Sequence, residues 1–170
     1  MSYDSKAIAN YFLDRAEQSG KKVDPMQIQK LVYFAHGWYL AANGAPLIDE
    51  MVEAWPWGPV IPSLYHEFKI FGKNPVTRKA SNLKLVDGEK GDYAVIEPTI
   101  GDGESASTTR QLLDLIWNGY GKLSGIQLSN LTHKEGSPWY ITWQQAQGRK
   151  NVDIPDELIR DYFRSQLNGP

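Results

Sequence analysis

The sequence contains no cysteine among its 170 residues. Disulfide bonds, thiolate zinc sites and cysteine nucleophiles are therefore excluded, and the absence suits a reducing compartment. The N-terminus lacks the basic stretch and apolar run of a signal peptide. No apolar run approaches the roughly 20 residues that span a bilayer. We therefore expect a soluble, cytoplasmic protein that does not contact a membrane.

An excess of positive charge is also missing, since the formal net charge is -2. A dedicated nucleic-acid-binding domain usually carries a basic face. The only basic-leaning stretch surrounds a predicted loop and contains Lys69, Lys73, Arg78, Lys79 and Lys84. We interpret it first as a solvated segment and second as a phosphate-binding patch. A DNA-binding prophage regulator acting on its own promoter therefore stays open as an alternative.

Sequence signals for catalysis are weak. The three histidines, His36, His66 and His133, do not pair at metal-ligand spacing. The segment 101–106 matches a glycine-rich phosphate-binding pattern, but its acidic residues would repel phosphate and no alternating strand and helix pattern surrounds it. We therefore predict no metal, no cofactor and no enzymatic activity. A hydrolase or nuclease that uses His133 is a further alternative.

Sequence signals for helices are more frequent than signals for strands. Asp24, Pro25 and Gln27 form the start signal of a helix that is apolar nearly all round, which is typical of a buried central helix. A first helix is predicted from about Ser5 to Ser19. Further helices are predicted near residues 64–71, 112–120, 124–131, 138–143 and 155–167. No linker divides the chain, so residues 1–170 are expected to form one domain.

Strand signals are few and short. Residues 51–55 read as a strand that leads into a proline-rich, rigid turn at 56–62. Leu83 and Leu85 alternate with polar residues, as do Tyr93 and Val95, which predicts a small β-hairpin. The fold class is therefore mainly α: a single compact helical domain with a small β-hairpin and short antiparallel strands.

Aromatic residues are abundant, with 6 Trp and 9 Tyr. Such side chains build cores, but they also anchor protein interfaces because they bury much area at little entropic cost. Trp57 lies inside the proline-rich turn and is the tryptophan we expect to be exposed. The pattern favours a protein that binds another protein.

Three sequence blocks together resemble the Panacea domain family, which includes SocA-like antitoxins and GepA-type phage-associated proteins. The blocks are KLVYFAHGWYL at 30–40, EAWPWGPVIPSLY at 53–65 and LSNLTHKEGSPW at 128–139. The positions that carry the resemblance are Lys30, Tyr33, Trp55, Gly58, Pro59, Tyr65, His133, Pro138 and Trp139. Gly58, Pro59 and Pro138 are expected to act in turns and a helix start.

The resemblance implies an antitoxin that binds and neutralises a cognate protein toxin, encoded beside it. One family member acts differently, as an adaptor that delivers its toxin to a ClpXP-type protease, so this mechanism stays open. We select Trp57, Tyr65, His133 and Trp139 as candidate contacts with the toxin, because they lie in or beside turns and carry interface-type side chains.

Overall fold

A long helix, α2 (Pro25–Asn43), occupies the centre of the computed structural model, which describes residues 1–169. Asp24 caps it by accepting the backbone N–H of Gln27 at 2.8 Å, while the Gln27 side chain accepts the N–H of Asp24. Gly44 ends it in the left-handed conformation. Buried residues lie on all sides of α2, which confirms the prediction of a central helix.

The other helices surround α2. Helix α1 (Ser5–Gln18) is capped by Asp4, and α4 (Glu104–Tyr120), α5 (Gly125–Thr132) and α7 (Asp156–Leu167) also pack on α2. The other two of the seven helices found in residues 1–169 are α3 (Pro62–Phe68), which continues into a 3-10 turn at Lys69–Phe71, and α6 (Pro138–Ala146). Ser124 and Ser137 cap α5 and α6. The mainly helical fold class is confirmed.

The proline-rich segment forms more than the rigid turn that the sequence predicts. Strand β2 (Gly58–Val60) pairs antiparallel with β1 (Val52–Trp55), and β5 (Val152–Ile154) pairs with the other edge of β1. Pro59 is tolerated because β2 is an edge strand, where a missing N–H costs no ladder hydrogen bond. The prediction of a turn alone was therefore wrong for residues 58–60.

The predicted β-hairpin is confirmed as β3 (Asn82–Asp87) paired with β4 (Asp92–Ile96). Its apolar side chains are exposed, including Leu83 opposite Val95. His36 has a structural position in the core. This side chain is fully buried, and its Nε2 lies 3.0 Å from Asp156 Oδ1, which links α2 to the first turn of α7.

Candidate functional site

The turn between β1 and β2 is the place where the three sequence blocks meet. The block at 30–40 forms part of α2, the block at 53–65 forms the β1–β2 hairpin and the start of α3, and the block at 128–139 runs from α5 into α6. Side chains from α2, α5 and α6 reach the backbone carbonyl groups of Trp57 in this turn and of Trp55 and Pro59 beside it. The blocks therefore combine to fix one short loop.

Trp139 and His133 support the first half of the turn. The indole Nε1 of Trp139 donates a hydrogen bond to the Trp55 carbonyl at 2.7 Å, and only 6% of Trp139 is exposed. The His133 ring packs edge-on against Trp139 with centroids 4.0 Å apart. Its Nδ1 lies 2.6 Å from the Ser129 carbonyl and its Nε2 lies 3.3 Å from the Pro56 carbonyl. The structure thus places both beneath the turn, and their contact with a partner stays a prediction.

Ser129 and Lys30 support the second half. The Ser129 hydroxyl donates to the Trp57 carbonyl at 2.8 Å, and Lys30 Nζ donates to the Pro59 carbonyl at 2.9 Å. Because the two side chains come from different helices, these hydrogen bonds tie the β1–β2 hairpin to both α2 and α5. This arrangement fixes the direction in which the residues of the turn project.

Gly58 lies where no other residue fits. Its φ of +108° lies outside the range that residues with a Cβ readily adopt. A Cβ built at this position would lie 2.6 Å from Thr132 Oγ1 and 3.1 Å from Lys30 Nζ. The expected structural role of Gly58 is therefore confirmed, at the point where the turn enters β2.

Gln29 makes a further contact that the sequence analysis missed. Its amide Nε2 donates to the Ile61 carbonyl at 2.9 Å, and its Oε1 accepts the Ile61 N–H at 3.0 Å. The side chain thus makes, at the end of β2, the pair of backbone hydrogen bonds that a neighbouring strand would otherwise make. Nothing in the sequence signals this pairing, because it joins residues 32 positions apart.

Trp57 and Tyr65 form the exposed part of the site. Trp57 is 70% exposed, which confirms the prediction for this residue, and Tyr65 is 41% exposed. Tyr65 packs edge-on against Trp55 with ring centroids 4.8 Å apart, and the Trp55 indole donates to Glu53 Oε2 at 2.7 Å. Aromatic area is therefore presented to solvent on a rigid support.

An open pocket of about 240 Å³ adjoins these aromatic rings. It lies between the first turn of α2, the β1–β2 hairpin, α3 and the 3-10 turn. Most lining residues are apolar or aromatic. The charged ones are Lys30 and Lys69, and neither Asp nor Glu is among the described residues that line it.

Lys30 is an unusual charged group for such a position. Its side chain is 1% exposed, and burial lowers the pKa of its amine from 10.5 to about 7. No carboxylate of residues 1–169 lies within ion-pair distance of Lys30. Desolvation of an uncompensated ammonium is the physical cause of the lowered pKa.

This lowered pKa makes the stability of the protein depend on pH. The folded state releases the Lys30 proton near pH 7, whereas the unfolded chain keeps it to about 10.5, so the unfolded state binds more protons between these values. The free energy of unfolding should therefore rise from pH 7 to about pH 9, with a slope approaching ~1.4 kcal/mol per pH unit. Below pH 7 both states are protonated and this slope disappears.

Urea unfolding of the wild type and of Lys30→Met at several pH values measures this effect. Methionine retains the apolar stem without a titratable group, so we expect its curve to be flatter over the same range. Lys122→Met changes an exposed lysine and serves as the control. Identical slopes for the wild type and Lys30→Met would show that Lys30 titrates normally.

Tyr33 and Pro138, the remaining positions that carry the family resemblance, are buried and contribute to packing. Tyr33 is 2% exposed and packs edge-on against Phe34 and Phe163, and burial raises the pKa of its hydroxyl. Pro138 is buried at the first position of α6, next to the Ser137 cap, which confirms its expected place at a helix start. These residues hold the elements that carry the site.

Other predicted features give little support to the alternative functions. In residues 1–169 no group of three or more His, Asp or Glu side chains is placed to hold a metal ion. In the basic stretch, Arg78 pairs with Glu67 at 2.6 Å and Lys79 with Asp14 at 2.7 Å. Two of the five cations of this stretch are thus paired within the chain, which weakens the DNA-binding alternative. None of the helices described is long and apolar enough to cross a membrane.

Comparison with known proteins adds two findings. The family model described as "Antitoxin SocA-like, Panacea domain" matches residues 28–140. The chain is also 31% identical over 168 residues to the protein "Antitoxin SocA" of Caulobacter vibrioides, covering 97% of this chain and 85% of that protein. No solved structure matches the chain significantly.

Proposed function

Since this chain belongs to the family of SocA-like antitoxins with a Panacea domain, we propose that it neutralises a protein toxin by binding it directly. The observation that supports this proposal is an exposed tryptophan on a hairpin turn, where three helices hold carbonyl groups of the turn and of its two strands. Rigid aromatic side chains are the usual anchors of tight protein interfaces.

The rigid support matters because binding free energy is lost when a flexible loop must be ordered on association. A turn that is already fixed avoids this cost. Trp57 and Tyr65 form the anchor of the proposed interface, while His133 and Trp139 act by holding the turn. A stable interface of about 1,600 Å² would extend well beyond these rings.

The proposed activity requires no chemical step of its own. Neutralisation results from occupying the toxin surface, so we propose a regulator without enzymatic activity or cofactor, working in the cytoplasm. The toxin is proposed to be the product of an adjacent gene. Residues 1–170 act together as one binding domain in this proposal.

Co-expression with each neighbouring reading frame tests the function. We expect one neighbour to arrest growth when expressed alone, and to be tolerated and co-purified when this chain is present. If every neighbour is harmless alone and none co-purifies, the antitoxin proposal fails.

The half-life of the toxin separates blocking from proteolytic delivery. Under direct neutralisation, the toxin should persist with the antitoxin bound, whether or not the cell contains a ClpXP-type protease. A toxin that disappears only when both the antitoxin and the protease are present would instead establish the adaptor mechanism.

A further inference from the structure

The pocket beside Trp57 has an imbalance of charge. Trp55, Trp57 and Tyr65 supply an aromatic wall, and the charged lining residues, Lys30 and Lys69, both carry amines. Lys69 is exposed, and it forms no ion pair with any described residue. The pocket therefore offers two positive groups without an internal counter-ion.

The Lys30 amine is also short of hydrogen-bond partners. An ammonium group has three donors, and the contact found for Lys30 Nζ is the Pro59 carbonyl at 2.9 Å. Burying a cation with so few partners is costly unless an anion approaches it. This cost would be reduced when a ligand supplies negative charge.

The elements around Lys30 contain no free carboxylate to fill this role. Strand β2 and helix α5 have no titratable side chain, and α3 and the 3-10 turn contribute Tyr65 and Lys69 to the pocket. His66 and Glu67 of α3 are not among the lining residues, and Glu67 pairs with Lys6 and Arg78. On β1, the Glu53 carboxylate accepts the Trp55 indole N–H. His133, after α5, is hydrogen-bonded to the Ser129 carbonyl.

We propose that this pocket binds an acidic side chain of the toxin, whose carboxylate pairs with Lys30 and Lys69 while its apolar stem packs against the aromatic wall. This inference rests on the proposed antitoxin function. A side chain suits the pocket better than a chain terminus, because a terminus brings an amide group that a mainly apolar wall leaves unpaired. Charge complementarity thus selects an acidic anchor next to the Trp57 contact.

A dependence of toxin affinity on pH follows from this arrangement. A bound carboxylate raises the pKa of Lys30 above its free value of about 7, so the complex takes up a proton when it forms above that pH. The affinity should vary little between about pH 5 and 7, where the carboxylate is ionised, and should fall at higher pH by up to about tenfold per unit. Calorimetry in two buffers of different ionisation enthalpy detects the proton uptake.

A pair of short peptides tests the pocket without any toxin. The probes are acetyl-Leu-Glu-Leu-amide and acetyl-Leu-Gln-Leu-amide, which differ in charge but little in size. Binding at about pH 6.5 is followed by the indole N–H resonance of Trp57 in the nitrogen-15-labelled protein. We expect the glutamate peptide to bind about fivefold or more tightly than the glutamine peptide, because its contact is charge-assisted.

Variants assign the effect to the two lysines. Lys69→Gln alters an exposed side chain and should reduce the preference for glutamate without harming the fold, and Lys30→Met should reduce it further. Lys122→Gln, which lies outside the pocket, should leave it unchanged. Equal binding of the two peptides, or binding of neither, overturns the inference.

A third probe and the toxin itself complete the test. Tighter binding of acetyl-Leu-Leu with a free terminal carboxylate than of the glutamate peptide would assign the pocket to a chain terminus and overturn the side-chain proposal. If the toxin is neutralised but the protein binds the glutamate and glutamine peptides equally, only the pocket inference fails. A glutamate preference without any neighbouring toxin removes the antitoxin function and the toxin as occupant, and leaves a pocket that binds an acidic side chain.

Discussion

Replacing Gly37 with alanine is expected to lower the free energy of unfolding by about 3 kcal/mol or more. Gly37 lies in the middle of α2, where α7 crosses it, and a Cβ would lie 2.5 Å from Cδ2 and 2.6 Å from Cζ of Phe163. Phe163 is 2% exposed and is enclosed by Tyr33, Phe34 and Trp38. Because these neighbours leave the ring no room to retreat, α7 itself must shift.

Urea or thermal unfolding measures this loss, and Gly119→Ala provides the control. Gly119 is also helical, in α4, but a Cβ there meets no atom within 4 Å. Alanine should stabilise that position by up to about 1 kcal/mol, because it is the better helix former. Adding Phe163→Leu to Gly37→Ala should recover part of the stability. An unchanged unfolding midpoint for Gly37→Ala would mean that the two helices do not pack this closely.

The helices could be predicted because their signals are local. The cap at Asp24, the serine caps at 124 and 137, and the apolar periodicity all act within a few residues, and the structure contains each of them. The exposed hairpin was predicted for the same reason. Such signals do not depend on how the chain folds at longer range.

The sheet around β1 could not be predicted, because its pairing is non-local. Strand β5 has three residues and lies about 100 positions from β1, so it carries no periodicity and no turn signal. Strand β2 contains a proline, which ordinarily argues against a strand. A proline is compatible with β2 only because this strand lies at the edge of the sheet.

The candidate contacts were chosen by residue type, and type does not reveal which side of a turn a residue occupies. Trp57 and Trp139 are both tryptophans next to a turn, yet one is 70% exposed and the other 6%. The difference arises from hydrogen bonds that join distant blocks, such as that between Trp139 and the Trp55 carbonyl. Residue type therefore selected the candidates, while which of them is exposed and which is buried required the structure.

Replacing Trp57 with alanine is expected to weaken toxin binding by about 100-fold, which corresponds to ~2.7 kcal/mol. The side chain is 70% exposed in the free protein, so its removal creates no cavity, whereas the turn beneath it is held through backbone carbonyl groups that alanine retains. The loss should therefore appear in binding and in rescue of growth, and the unfolding curve should stay within about 0.5 kcal/mol of the wild type.

Leu115→Ala is the matched control, because Leu115 is 68% exposed on α4 and lies outside the pocket beside Trp57. Truncating it removes a similarly exposed apolar side chain, so a general loss of surface hydrophobicity would affect both variants alike. We expect Leu115→Ala to neutralise the toxin as the wild type does. The affinity of Trp57→Ala is measured with the toxin identified by co-expression. An affinity equal to that of the wild type would show that the toxin binds elsewhere on the protein and not at this turn.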